Sequence, residues 1–355
     1  MTNAVSLAQG ASNNVTMRNR IINGSMVIDQ RNAGASVSIS AAGNGYAVDR
    51  FRCDAPNGQG ITAQQVSTNL AGFSKVLRYT AGTASTAATD QSEIFYAIEG
   101  YNVADMGFGA AGAVTFTLSF WATSSLSGTF GLVLENAGNN RQYITTYSLP
   151  VANTWTYITK TIVGDTSGTW DNTNGRGLVL RFDMGTGTSY SAAATNAWGT
   201  SSIYGVTGAV KLTQNTGATF TITGVQLEAG TTATPFENRL YGTELALCQR
   251  YYYKITGAAN TMVCSIAGNG TAVAGGLVVF PVTMRAAPTF SQSGLTIYAY
   301  TGGTISNFSS VYTATYSPYN ARINWNGSGF TAGAVVGEVV TGASSTNYAD
   351  FSAEL

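Results

Sequence analysis

GVQLEAGTTATPFENRLYGTELALCQRYYY, Gly224 to Tyr253, closes one β-segment and leads into another. Val225 and Leu227 alternate with Gln226 and Glu228, the period-two signature of a half-buried strand. The run from Gly230 to Pro235 breaks that alternation, so the strand is predicted to stop near Gly230. Pro235 sets an extended connector, Phe236 and Leu240 anchor it to a core, and Thr243 caps a short helix from Glu244 to Tyr253. On that helix Leu245, Cys248 and Tyr252 share one face. Tyr251, Tyr252 and Tyr253 cannot all face one core, because consecutive helical positions turn by about 100°. At least one therefore meets another domain or subunit. Gln249 and Arg250 are expected to satisfy backbone or carboxylate groups at the same interface.

Upstream, the strand from Thr219 places Phe220, Ile222, Val225 and Leu227 on its core side, with Gly224 interrupting the alternation as a bulge. In VTFTLSFW, Val114, Phe116, Leu118 and Phe120 point one way, and Trp121 points the other. About ten strand candidates lie from Ile21 to Glu237, a number and spacing that suit a sandwich. Among them are Val48–Cys53, Val76–Tyr79, Ile94–Glu99, Thr129–Glu135, Tyr143–Leu149, Thr156–Val163 and Leu178–Asp183. Downstream, MVCSIAG, GGLVVFPV, LTIYAY, ARINW and GAVVGEVVTG point to about six more, with Pro281 restricting its strand to an edge or bulge. The terminal NYADFSAEL is expected to be ordered. The fold class is all-β: an N-terminal β-sandwich and a smaller C-terminal sandwich or half-barrel, joined by a short helix. The expected divisions are an arm at 1–20, a first domain at 21–237, a linker at 238–257 and a second domain at 258–355.

Composition supports that division. A chain of 355 residues with 44% hydrophobic content has room for two cores. Its 42 glycines and 6 prolines suit short strands and tight turns. Seventeen basic residues balance 17 acidic ones, and charged residues make up only 10% of the chain, against about 25% in ordinary soluble domains. The most basic patch, Arg18, Arg20 and Arg31, is interrupted by Ile21, Ile22, Met26 and Asp29 and reads as a strand edge with a turn, so nucleic-acid binding is not expected. Low charge favours a protein that covers surface with copies of itself. No run of apolar residues is long enough for a membrane span, and MTNAVSLAQGASNNV lacks the basic and apolar regions of a signal peptide. Cys53, Cys248 and Cys264 sit in apolar contexts that favour buried thiols, and spacing leaves a Cys248–Cys264 disulfide undecided.

Histidine is absent, which removes Ser-His-Asp triads, Cys-His pairs and histidine-ligated zinc. Carboxylate chemistry remains, and Asp165 with Asp171 is the nearest acidic pair in a loop setting. Both also read as turn formers, and no enzyme is expected. Glycan binding needs aromatic faces beside hydrogen-bonding side chains. Two loops supply them: Trp170, Asp171, Asn172, Asn174 and Arg176 in one, and Tyr190, Asn196, Trp198 and Tyr204 in the other. Packing of Trp170 and Trp198 against the sandwich or a neighbouring subunit is the competing reading. Acids are too dispersed for a recognisable calcium loop, and no cofactor is expected. Gly43–Gly45, Gly268–Gly270 and Gly275–Gly276 are read as turns.

RNRIINGSMVIDQRNAG (Arg18 to Gly34), YAVDRFRCD (Tyr46 to Asp54), VTFTLSFWAT, TWTYITKTIVGDTSGTW, GLVLRF, PFENR and YGTELALCQRYYY together resemble a family of tailed-bacteriophage fibre and virion-appendage proteins. The resemblance runs from about Arg18 to Arg285. It implies a jelly-roll domain similar to carbohydrate-binding modules, in which a structural calcium ion is common. It also implies a structural virion protein made in the bacterial cytoplasm. Such a protein, expected as a homotrimer, would attach to other virion proteins through its N-terminal arm and display loops to host-surface glycan for adsorption. A capsid- or neck-attached fibre or decoration protein is the alternative reading, and a glycan depolymerase the third.

Overall fold

The strand that ends before Gly230 is central to the architecture. Thr219–Ala229 buries Phe220 and Ile222, then Val225 and Leu227, so the buried positions change parity midway. The register slips between Thr223 and Gln226, and Gly224 adopts φ 63° there. This is the expected bulge: one extra residue resets the alternation and keeps all four apolar side chains inward. The computed structural model describes residues 17–40, 43–55, 60–257, 261–268, 273–299, 303–305, 310–326, 335–341 and 347–355. They form two compact units, Met1–Glu244 with Leu355 and Leu245–Glu354.

The first unit is an antiparallel sandwich. One sheet orders β1 (Val37–Ile39), β4 (Ile61–Ser67), β5 (Lys75–Thr80), β15 (Thr219–Ala229), β7 (Phe116–Ser124) and β10 (Thr156–Ile162). The other orders β13 (Trp198–Gly199), β9 (Gln142–Leu149), β8 (Gly128–Glu135), β11 (Arg176–Asp183), β6 (Glu93–Glu99), β3 (Phe51–Asp54) and β2 (Asn44–Val48). The chain repeatedly changes sheet, from β3 to β4, β5 to β6, β6 to β7 and β7 to β8, the crossover pattern of a jelly roll. A short parallel pair, β12 (Ser191–Ala192) and β14 (Gly205–Val206), stands apart from both sheets.

Phe116, Leu118 and Phe120 of β7 face inward, and Trp121 takes the other face at half-burial, as alternation requires. Phe120 meets Tyr147 at 5.1 Å and Phe182 at 5.2 Å, while Phe130 meets Phe220 at 5.7 Å. Full burial of each such ring contributes roughly 1.5–3 kcal/mol.

The second unit pairs β16 (Tyr252–Thr256), β25 (Tyr348–Ser352) and β19 (Thr289–Ser293) in one sheet. Its larger sheet orders β21 (Gly303–Ile305), β20 (Leu295–Ala299), β24 (Val335–Thr341), β17 (Met262–Gly268), β18 (Val273–Val279), β23 (Asn320–Asn326) and β22 (Ser310–Tyr316). Phe351, Trp325, Ile323 and Val278 centre its core. β18 stops at Val279, before Pro281 would have to donate a ladder hydrogen bond.

Several expectations are corrected. The single strand Val48–Cys53 is a hairpin, because Arg50 adopts φ 73° and turns the chain between β2 and β3. Helix α1 spans Tyr241–Gln249, so Thr243 is inside it; the Leu240 carbonyl accepts the Glu244 N–H and starts the turn. Tyr252 and Tyr253 lie on β16, where strand alternation separates them. Tyr251 and Tyr252 are buried and Tyr253 half-buried. Leu240 is 81% exposed and anchors no core; Phe236 does anchor the connector, edge-on to Phe73 at 5.2 Å. Leu245 and Gln249 are half-buried on α1, and Arg250 donates to the Thr283 carbonyl. Gly275 and Gly276 lie within β18, not in a turn; a Cβ at Gly276 would come within 2.6 Å of Cys264 Sγ. All three cysteines are buried free thiols. Residues 18–20, expected in an arm, are fastened to the sandwich: Asn19 Nδ2 donates to the Val225 carbonyl, and Arg18 and Asn19 N–H donate to Glu237. Residues 1–16 of that expected arm, and Asn269 and Gly270 of the expected turn after Gly268, lie outside the described residues.

Candidate functional site

The structure brings the two sequence-selected tryptophans together. Trp170 and Trp198 meet edge to face at 5.3 Å, and both pack against the main core. Trp170 also lies 4.8 Å from Phe108, and Trp198 lies 5.5 Å from Tyr143. Their indole N–H groups are used internally, donating to the Ser167 and Val163 carbonyls. Both rings are half-buried, and both indole donors are already engaged within the fold. Asp171 accepts the Thr173 N–H and hydroxyl, and Asp165 is held bidentately by Arg141 while it accepts the Ser167 N–H. Both acids are turn formers in place. Asn172 and Asn174 are exposed beside them, and Asn196, at φ 50°, accepts the Thr145 hydroxyl.

Tyr204 and Arg176 belong elsewhere, on the outer face of the β6–β11 sheet. Gln142 of β9 holds the segment before Tyr204: its carbonyl accepts the Ile203 N–H and Ser201 hydroxyl, and its amide donates to the Ile203 carbonyl. Gly205 follows because a Cβ there would lie 2.6 Å from Asp183 Oδ2. Asn139 donates to the Tyr204 hydroxyl at 3.1 Å, and Tyr190 lies 5.6 Å away. The ring thereby becomes one wall of a cleft of about 220 Å³ lined also by Asn44, Arg52, Asp54, Gln91, Glu93 and Arg181.

Strand pairing assembles the charges. Phe95 stands opposite both Arg52 and Arg181 in the ladder, and Glu93 stands opposite Asp54 and Asp183. Arg52 grips Asp54 with bonds of 2.8 and 2.6 Å. Arg181 contacts Glu93 and donates to Glu135 Oε1 at 2.9 and 2.7 Å, with its guanidinium 4.7 Å above the Tyr204 ring. Glu93 is 4% exposed, and one of its oxygens has no hydrogen-bond partner among the described residues. Burial lifts its carboxyl, against the pull of Arg181. Burial also works against the charge on Arg181, but Glu93 and Glu135 outweigh it and raise the arginine's pKa. The cleft thus combines an aromatic wall, fixed charges and planar hydrogen-bonding groups. Sequence reading missed most of it, because Arg52, Glu93 and Arg181 are scattered along the chain and meet only through strand pairing.

A second recess lies on the outer face of the β7–β15 sheet. A groove of about 390 Å³ is lined by Phe73, Trp121, Tyr157, Phe236, Ser119 and Gly224, with Ala233 to Pro235 along its rim. Trp121 and Tyr157 meet at 5.1 Å. Gln226 and Glu228, read from alternation as the polar face of a half-buried strand, are buried because they hold the connector. The Glu237 N–H donates to Gln226, and the Thr234 N–H and hydroxyl donate to Glu228.

Among the described residues no group of three or more His, Cys, Asp or Glu side chains is placed to hold a metal ion, and no helix is long and apolar enough to cross a membrane.

No protein-family model and no curated protein matches the chain. Among solved structures it is similar to a family 4 carbohydrate-binding module, with 16% identity over 59% of this chain and 98% of that one, at a TM-score of 0.30. It is also similar to the family 11 module of a Clostridium thermocellum cellulosomal cellulase, at 13% identity over 55% and 100% of the two chains and a TM-score of 0.29. The enzymatically active domain of bacteriophage CBA120 tailspike protein 4 matches at 13% identity over 60% of this chain and 21% of that one, with a TM-score of 0.30. Likeness at this level assigns neither family nor ligand.

Proposed function

We propose that this chain is a non-enzymatic structural subunit of a tailed-bacteriophage virion whose N-terminal sandwich binds host-surface glycan. The observation that carries the glycan reading is the Tyr204 cleft, where a ring wall stands beside Arg52, Asp54, Gln91 and Glu93. Sugar hydroxyls need such directional donors and acceptors, and a pyranose ring needs an aromatic face. The virion setting is supported by the resemblance of the Arg18–Gly34, Tyr46–Asp54 and Gly224–Tyr253 motifs to phage appendage proteins. In this reading the chain is made in the bacterial cytoplasm, assembles with copies of itself as a homotrimer, and gains residence time from repeated weak sites. It uses no cofactor.

A second reading, a capsid- or neck-attached decoration subunit, is favoured by the aromatic groove beside Tyr157, which is 43% exposed and sits on the edge strand β10. Purified protein incubated with host lipopolysaccharide or capsule should bind it without creating new reducing ends, and Tyr204→Ala should weaken binding at unchanged oligomer mass. New reducing ends would overturn the non-enzymatic reading. Unchanged binding by Tyr204→Ala would remove the cleft from it, and particle images placing the subunit on capsid or neck would favour the second reading.

A further inference from the structure

A recess of about 370 Å³ lies on the outer face of the other sheet, and its lining includes Asn69, Arg78, Thr123, Trp155 and Thr221. Sheet geometry builds it. Leu77, Tyr79, Ile222 and Ala122 point into the sandwich core, so Arg78, Thr221 and Thr123 point outward. Thr221 stands opposite Arg78 on one side and Thr123 on the other, which sets the three in a row of about 10 Å across β5, β15 and β7. Trp155 comes directly before β10, whose Thr156 pairs with Ala122, and it closes the row beside Thr123.

Two side chains here have no polar partner inside the fold. Trp155 is half-buried, yet it makes no ring contact and no hydrogen bond among the described residues. In contrast, the indole N–H groups of Trp170 and Trp198 are bound to carbonyls. Arg78 is exposed, and its guanidinium has no hydrogen bond or ion pair among the described residues. Arg52, Arg141, Arg181 and Arg239 are each held by a carboxylate. Every Asp and Glu of the chain is among the described residues, so no carboxylate side chain of this protein pairs with Arg78. The lining of the recess has no acidic side chain. Lys75 adds a second cation beside it: its ammonium donates at 3.2 Å to the hydroxyl of Ser67, a lining residue, and pairs with no carboxylate among the described residues.

We infer that this recess is a second glycan site, separate from the Tyr204 cleft, and that it takes an acidic sugar. The pyranose ring lies against Trp155, its carboxylate, sulfate or phosphate group pairs with Arg78, and a hydroxyl meets Asn69. Sugars need an aromatic face beside directional polar groups, and the volume falls within the roughly 300–1,000 Å³ of small-ligand sites. A guanidinium suits the anion because it donates two parallel hydrogen bonds. The inference shares the ligand class of the glycan reading above but none of its residues.

The test uses the full-length chain carrying Tyr204→Ala, which removes the ring wall of the other cleft. It is applied to an array of neutral, carboxylate-bearing, sulfated and phosphorylated oligosaccharides, and the best ligand and its neutral counterpart are then titrated. Acidic members should bind at least about tenfold tighter than neutral ones, with affinity falling as salt rises. Adding Arg78→Gln should abolish that preference at an unchanged melting temperature, because Arg78 is exposed and its side chain bonds to nothing in the fold. Arg78→Lys should restore part of it, since the charge stays and the fork is lost. Trp155→Ala should weaken acidic and neutral members alike. Equal affinity for acidic and neutral sugars, a preference that survives Arg78→Gln, or unchanged affinity in Trp155→Ala overturns this site and leaves the Tyr204 cleft standing. Binding by the unsubstituted chain that Tyr204→Ala abolishes altogether assigns glycan recognition to the cleft and also overturns it. No binding by either protein overturns both.

Discussion

The two outer faces of the N-terminal sandwich treat aromatic rings in opposite ways. On the β6–β11 side, Phe95 is buried beneath three arginines, two of which, Arg52 and Arg181, line the adjoining cleft with carboxylate and amide side chains and one tyrosine. On the β7–β15 side, Phe73, Trp121, Tyr157 and Phe236 gather over a glycine bulge with no charged side chain in the lining. Both faces are built on strands, yet one is held by ion pairs and the other by ring packing. Directional charges discriminate between ligands, whereas ring faces accept any flat apolar surface.

The largest expected effect breaks the charged face. Arg181→Leu leaves Glu93 and Glu135 buried without their cation and should cost about 3–5 kcal/mol in chemical denaturation at pH 8. If stability changes little there, the ion-pair account of that face fails. Next is the pH dependence of the same cluster. The Glu93 carboxyl binds its proton more tightly folded than unfolded, so its contribution is full below the ordinary value of 4.5 and is lost as pH rises toward about 8. Over that window the wild type should lose stability as pH rises, and Glu93→Gln should flatten the slope.

The tryptophan pair, which belongs to neither face, sharpens the comparison. Trp198→Ala should lower stability by about 2 kcal/mol through lost packing and the lost bond to Val163, with glycan affinity unchanged. Reduced affinity at full stability would return the loops to the binding surface. On the aromatic face, Gly224→Ala should cost about 1–2 kcal/mol, because φ is positive and the new Cβ would meet the Phe73 ring. Thermal melting checks it, and a neutral outcome would mean that the bulge is free to shift. Smallest is Thr243→Ala, expected within about 0.5 kcal/mol because Thr243 is an exposed residue inside α1 and caps nothing. A larger loss of stability would show that its hydroxyl matters to the helix.

Legibility in the sequence followed the range of the interactions. The inward side chains of β7, the Gly224 bulge and the end of β15 near Gly230 were readable because alternation and turn chemistry act over a few residues. The turn roles of Asp165 and Asp171 were readable for the same reason. Tyr204 and Arg176 were picked out with their neighbours in sequence; Tyr204 keeps Tyr190 beside it, but the further partner of each, Arg181 for the Tyr204 ring and Phe95 for Arg176, came from distant strands. Trp170 and Trp198 could be read in the sequence as binding or as packing residues, because the same ring that stacks on a sugar also fills a sandwich edge; the structure adds that both pack on the core.

The sequence by itself determined an all-β chain with two strand-rich segments, without histidine and without charge to spare, since composition and period-two alternation are local properties. Tertiary structure decided which polar residues are buried. Gln226 and Glu228 turned from a solvent face into clasps on the connector, and Arg52, Glu93 and Arg181 turned from isolated charges into one cluster. Strand alternation sets which side of a sheet a residue occupies, but only the pairing of distant strands sets what it meets there.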